Sequence, residues 1–197
     1  MNTGSMRGIL LMASGMFFFS AVDMMCKVLT ETLHPVQILW FRQLGLLSGV
    51  LIYLSFKGFS VLRTNRLGLQ ILRGFSAIVS ASLFIFALNY LPLAEAVSVS
   101  FVAPFFVVLM GSWILKEQVG LRRWISIAVG FIGALIVIRP GLGVFDPAII
   151  LVLIAALAFA GRQVLSWFLS SVENLATTIA YTALTCSFVV TLILPFV

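Results

Sequence analysis

The chain of 197 residues is 62% hydrophobic and 9% charged, with a mean hydropathy of +1.20 and a formal net charge of +6. Soluble domains carry about 45–50% apolar and about 25% charged residues, so this composition cannot supply a water-facing surface. It leaves no room for a nucleic-acid-binding module or a water-soluble catalytic domain, and implies the lipid bilayer as the surrounding partner.

A bilayer span takes about 20 mostly apolar residues. Seven such runs succeed one another, at roughly 8–29, 36–56, 68–90, 93–115, 121–139, 148–168 and 175–197. The expected fold class is therefore all-α, a polytopic membrane helical bundle. The breakers Leu33-His34-Pro35, Lys57-Gly58, Leu91-Pro92, Arg139-Pro140-Gly141 and Asp146-Pro147 separate the runs, and connections this short force neighbouring helices to run antiparallel.

Run 1 is followed by no cleavage site and polar mature segment, so it reads as a retained helix rather than a signal peptide. It carries Asp23 and Lys27 four residues apart, on one helix face and in the favourable acid-first order for an intrahelical pair. Run 2 carries Trp40 and Arg42. At about 1.5 Å per residue, Asp23 and Arg42 each lie about 9 Å from the same membrane face. Matching depth allows a carboxylate and a guanidinium to neutralise each other, or to hold opposite ends of a zwitterionic solute. Gly45 and Gly49 form a GxxxG close-packing face in the same run, and Ser126, Gly130 and Ala134 repeat the pattern in run 5. Such faces join helices within one chain or across a homodimer, and both uses stay open.

Arg73 and Glu95 fall near span ends, where interfacial anchoring is expected. Run 4 reads Ser98-Val99-Ser100-Phe101-Val102-Ala103-Pro104. Pro104 removes a backbone hydrogen bond in mid-membrane, and the resulting kink can line a cavity with Ser98 and Phe101. In run 6, Arg162 and Gln163 take the place that inversion of run 1 would give the Asp23 region, although Arg162 also lies close enough to the membrane face to snorkel.

Cys26 and Cys186 show no metal or disulfide spacing and are expected to be packing residues. His34 is the only histidine, and neither HExxH nor G-x-S-x-G occurs. No enzyme activity, metal or cofactor is expected. Lys and Arg gather in the connections around 57–66 and 116–123, with Arg7 ahead of run 1, which puts the N-terminus in the cytoplasm. The last apolar run ends without a polar flank, and the chain is expected to be a fragment of a longer product.

Sliding the chain by about 141 residues lays Ile9-Leu10 on Ile150-Leu151, Phe18 on Phe159 and Trp40 on Tyr181. Five spans precede the second copy, and an odd number inverts it. Inverted repeats are a recurring transporter architecture, with the substrate at the repeat interface. Phe19-Ser20-Ala21-Val22-Asp23 with Lys27, His34-Pro35-Val36-Gln37 leading into Trp40-Phe41-Arg42, and Trp113-Ile114-Leu115-Lys116-Glu117-Gln118 ahead of Gly130-Phe131-Ile132-Gly133-Ala134 resemble the drug/metabolite transporter superfamily, EamA type. The resemblance implies two five-helix inverted repeats, ten helices in all. Here residues 1–140 would be the first repeat, and 141–197 the first two helices of the second.

The expected function is secondary transport of a small organic metabolite, such as a vitamin, nucleoside derivative or amino acid, by alternating access in the cell inner (plasma) membrane. Asp23, Arg42, Trp40, Ser98, Phe101, Pro104, Arg162 and Gln163 are the expected substrate-binding residues. A non-transporting subunit that pairs with another chain is the alternative.

Overall fold

The computed structural model describes residues 3–114, 120–138 and 146–196. Within them lie eight α-helices: α1 (Thr3–Leu29), α2 (Pro35–Lys57), α3 (Leu67–Ala87), α4 (Leu93–Ser100), α5 (Ala103–Ile114), α6 (Leu121–Ile138), α7 (Ala148–Ser170) and α8 (Leu175–Ile193). Among the described residues six stretches are long and apolar enough to cross a bilayer, with α4 and α5 together making one of them. The 18-residue α6 stands apart from those six. Each of the seven expected runs is thus helical. The Lys116-Glu117 loop and the Arg139-Pro140-Gly141 breaker lie outside the described residues.

Local chemistry explains the helix ends. His34 caps α2: its imidazole accepts from the Val36 N–H at 3.4 Å, and Gln37 reciprocates by accepting from the His34 N–H at 3.2 Å, with Pro35 pre-set for the first turn. Gly58 closes the helix at φ 79°, a left-handed conformation costly for any residue with a Cβ. Asn174 begins α8 as His34 begins α2, its side chain accepting from the Ala176 N–H at 3.2 Å. Asp146 accepts from the Ala148 N–H at 2.8 Å and starts α7.

Run 4 is broken rather than merely kinked. Its helix stops at Ser100 and resumes at Ala103. Pro104 has no N–H to continue the ladder, and the Phe105 N–H turns instead to the Val102 carbonyl at 3.0 Å.

The packing centre is α3 laid against α7 and α8, with α2 against α8 and α3, and α5 against α7. The α2 and α8 helices run antiparallel. The indole N–H of Trp40, near the start of α2, donates to the Thr191 hydroxyl near the end of α8 at 3.2 Å, and further along Val50 and Leu54 pack with Ala180 and Ala183. Helix α3 approaches α8 at Gly74, whose missing Cβ would stand 2.7 Å from the Thr185 Cβ. The expected close-packing glycines behave differently. Among the described residues a Cβ at Gly45, Gly49 or Gly130 would meet nothing within 4 Å, so no described helix covers those faces. Most apolar surface is exposed, as bilayer contact requires; Phe17, Phe56 and Trp113 are more than 70% exposed.

Candidate functional site

The residues expected to bind a solute fall into two neighbouring groups. The first is a charged level inside the bundle. Asp23 on α1 and Arg42 on α2 face each other with the closest oxygen and nitrogen 3.8 Å apart, and both are shielded, with side chains 12% and 26% exposed. The depth arithmetic anticipates this meeting. The alternative intrahelical pair with Lys27 is not formed. The Lys27 ammonium instead donates to the carbonyls of Leu88 and Leu91, at 2.5 and 3.1 Å, satisfying the C-cap of α3 and the turn that follows it. Arg42 also lies 5.6 Å from the Phe19 ring centroid. Trp40 borders this level but spends its N–H on Thr191.

Arg73 corrects an expectation. It does not anchor at the interface: its Nε donates to the Ser166 hydroxyl at 2.7 Å and its Nη1 to the Thr178 carbonyl and the Thr182 hydroxyl, bridging α3 to α7 and α8. Its long side chain reaches across a helix interface, which no spacing along α3 could reveal. Arg162, on α7, lies over the Phe159 ring with its guanidinium carbon 4.7 Å from the centroid, and its Nε is buried without a hydrogen-bond partner.

The second group surrounds a cavity of about 720 Å³, a size usual for small-molecule sites. Phe101, Pro104 and Gln163 line it, together with Phe159, Arg122 and Ser126. The helix break between α4 and α5 creates one wall, since an unbroken helix would carry Phe101 along a straight face. Ser98 is absent from the lining: it is buried, and its hydroxyl donates to the Ala94 carbonyl of its own helix at 2.7 Å. Sequence reasoning took Arg122 for a topology marker and Ser126 and Gly130 for packing, and all three line the cavity. Among the described residues no group of three or more His, Cys, Asp or Glu converges to hold a metal.

Comparison with known proteins bears on this arrangement. The model of the EamA-like transporter family matches residues 6–139. The chain is 28% identical over 167 residues to the S-adenosylmethionine uptake transporter of Rickettsia prowazekii, covering 85% of this chain and 57% of that protein. It is 35% identical over 124 residues to a riboflavin transporter of Brucella anthropi, covering 63% and 44%. It is 28% identical over 134 residues to a pseudopaline exporter of Pseudomonas aeruginosa, covering 68% and 46%. The chain thus spans about half the length of the curated relatives it matches. No solved structure matches it.

Proposed function

The chain belongs to the EamA-like transporter family, and from that premise we propose that it forms part of a secondary transporter moving a small organic metabolite across the plasma membrane by alternating access. The observation that carries this reading is the charged level between α1 and α2. At 3.8 Å the Asp23–Arg42 pair is an ion pair without a hydrogen bond, well beyond the 2.7–2.9 Å of a closed charge-assisted contact. Each partner therefore keeps free donors or acceptors that a polar solute can engage. Charge held inside a bilayer is costly and is usually retained for a function of this kind.

The relatives named for S-adenosylmethionine and riboflavin favour a solute of vitamin or nucleoside-derivative type. Uptake and export both occur among them, so direction is a property to be measured. Asp23, Arg42, Trp40, Phe101, Pro104, Arg162 and Gln163 are the residues assigned to the solute path, with Ser98 held in reserve behind the α4–α5 break. The two-repeat organisation, 1–140 and 141–197, is supported by the matching caps His34 and Asn174 and by the antiparallel contact of α2 with α8, the second helices of the two copies. The basic connections favour a cytoplasmic N-terminus.

The test is uptake into vesicles. Arg42→Ala is expected to abolish movement of an accepted solute while the protein remains in the membrane, because Asp23 loses its counter-ion and the solute loses a donor. The exchanged double variant Asp23→Arg with Arg42→Asp should also fail if the pair reads solute charge, and should recover if it is scaffolding. Unchanged transport in all of these variants would remove Asp23 and Arg42 from the path.

A further inference from the structure

Resting on that transporter reading, the balance of charge inside the bundle bears on the chemical class of the solute. Three guanidinium groups enter the described interior, and their surroundings differ. Arg42 has Asp23 beside it. Arg73 is enclosed by neutral acceptors from Ser166, Thr178 and Thr182. Arg162 has neither: among the described residues its side chain makes no ion pair or hydrogen bond, and the Phe159 ring is its one charge-stabilising contact.

The other described acids are occupied or distant from it in the fold. Asp146 caps α7 and Glu173 accepts from the Thr64 hydroxyl and the Asn65 N–H, while Glu31 and Glu95 sit at the end of α1 and the start of α4. Arg162 is also near enough to Arg73 and Arg42 for their positive charges to act on it. Its Nε is shielded from solvent, and the guanidinium is held over the Phe159 ring; snorkelling to a lipid phosphate would compete with that contact. A cation–π contact offsets only part of the cost of a half-buried cation that lacks a counter-ion among the described residues.

Phe159 and Gln163, three residues before Arg162 and one after, both line the cavity. The unmatched guanidinium therefore lies one aromatic ring behind the cavity wall. We propose that Arg162 anchors an anionic group of the solute, a carboxylate or phosphate, which completes the charge balance of the bundle when the site is loaded. The planar fork of donors on arginine suits such an oxyanion, which its two terminal nitrogens can hold bidentately.

The experiment compares paired probes that differ only in this charge, amino acids against their amides and nucleoside 5′-monophosphates against nucleosides. Binding to the purified chain is read as a shift of its thermal unfolding midpoint in neutral detergent, with phosphatidylglycerol as a separate arm. The anionic member of at least one pair should bind, its neutral counterpart should bind about tenfold or more weaker, and Arg162→Gln should abolish that difference. Arg162→Lys, which keeps the charge but not the fork, should retain part of the preference and serves if the glutamine variant fails to fold. Equal binding of charged and neutral members, or a preference that survives Arg162→Gln, overturns the inference and leaves the transporter reading standing. Arg162-dependent stabilisation by phosphatidylglycerol with none from the probes assigns the guanidinium to a headgroup and overturns it likewise. If no probe binds, the inference falls, and the transporter reading is decided separately by vesicle uptake of vitamins and nucleoside derivatives.

Discussion

Lys27 and Arg42 illustrate how far a single charge in a membrane helix can be understood from its position. Depth along the helix is arithmetic, so the level shared by Asp23 and Arg42 follows from the rise per residue, and their 3.8 Å approach agrees with it. The partner of Lys27 is another matter. Its ammonium reaches the Leu88 and Leu91 carbonyls, more than 60 positions away in sequence, because these carbonyls, at the C-cap of α3 and in the turn that follows, have no helical partner. Lys27→Met is expected to lower stability by about 1.5–3 kcal/mol, the usual worth of hydrogen bonds to a charged group. Thermal unfolding of the purified protein measures this, and an unchanged midpoint would show that the lysine contributes nothing to holding α1 on the bundle. The anchor matters because α1 is otherwise sparsely attached, with most of its length exposed from Met6 to Ser20.

Among the helices, small residues decide how closely two of them approach, and within the described residues the close approach falls at a glycine that sequence pattern did not single out. Gly45 and Gly49 satisfy the GxxxG spacing yet face open space, whereas Gly74 has no such pattern and meets Thr185 with no room for a Cβ. Pattern reports which face is smooth, but not which face another helix covers. Gly74→Ala is expected to cost about 1–3 kcal/mol through overpacking of α3 against α8, while Gly45→Ala should cost nothing. The same Gly74→Ala change should be better tolerated in a Thr185→Gly background, and a double-mutant cycle on unfolding midpoints gives the coupling. Additive effects would mean that the two helices separate to relieve the overlap. Pro104 shows the opposite case, a local rule strong enough to act alone: a residue without an N–H in a long apolar run breaks the helix and opens the cavity wall at Phe101.

For the molecule as a whole, topology is the property most open to a direct check. Antiparallel neighbours place the 58–66 connection and the α7–α8 turn on one membrane side, where the Glu173 carboxylate ties them together at 2.7 Å to the Thr64 hydroxyl. The α3–α4 turn lies on the other side. Arg63 and Asn89 are both exposed, and the native Cys26 and Cys186 are buried. With the N-terminus in the cytoplasm, Asn89→Cys should react with an impermeant thiol reagent in intact cells, and Arg63→Cys only after permeabilisation. The reverse pattern would invert the assigned orientation.

Composition and hydropathy were sufficient for the all-α membrane class and the number of apolar runs, because a bilayer admits few backbone solutions and each requires a run of known length. Breakers were readable for a similar reason, since His34-Pro35 and Gly58 act within their own turn of chain, whereas the caps His34 and Asn174 emerged only with the structure. The family resemblance drawn from short motifs agrees with the match over residues 6–139. What required the folded molecule was every relation between helices: Arg73 clasping α7 and α8, Gly74 receiving Thr185, Arg122 and Ser126 entering the cavity, and Arg162 standing without a counter-ion among the described residues. In water such faces are marked by hydrophobic periodicity, but in lipid the covered and the exposed side of a helix are equally apolar. Which side is covered is then set by fit and by a few polar contacts, and these exist only once the helices have met.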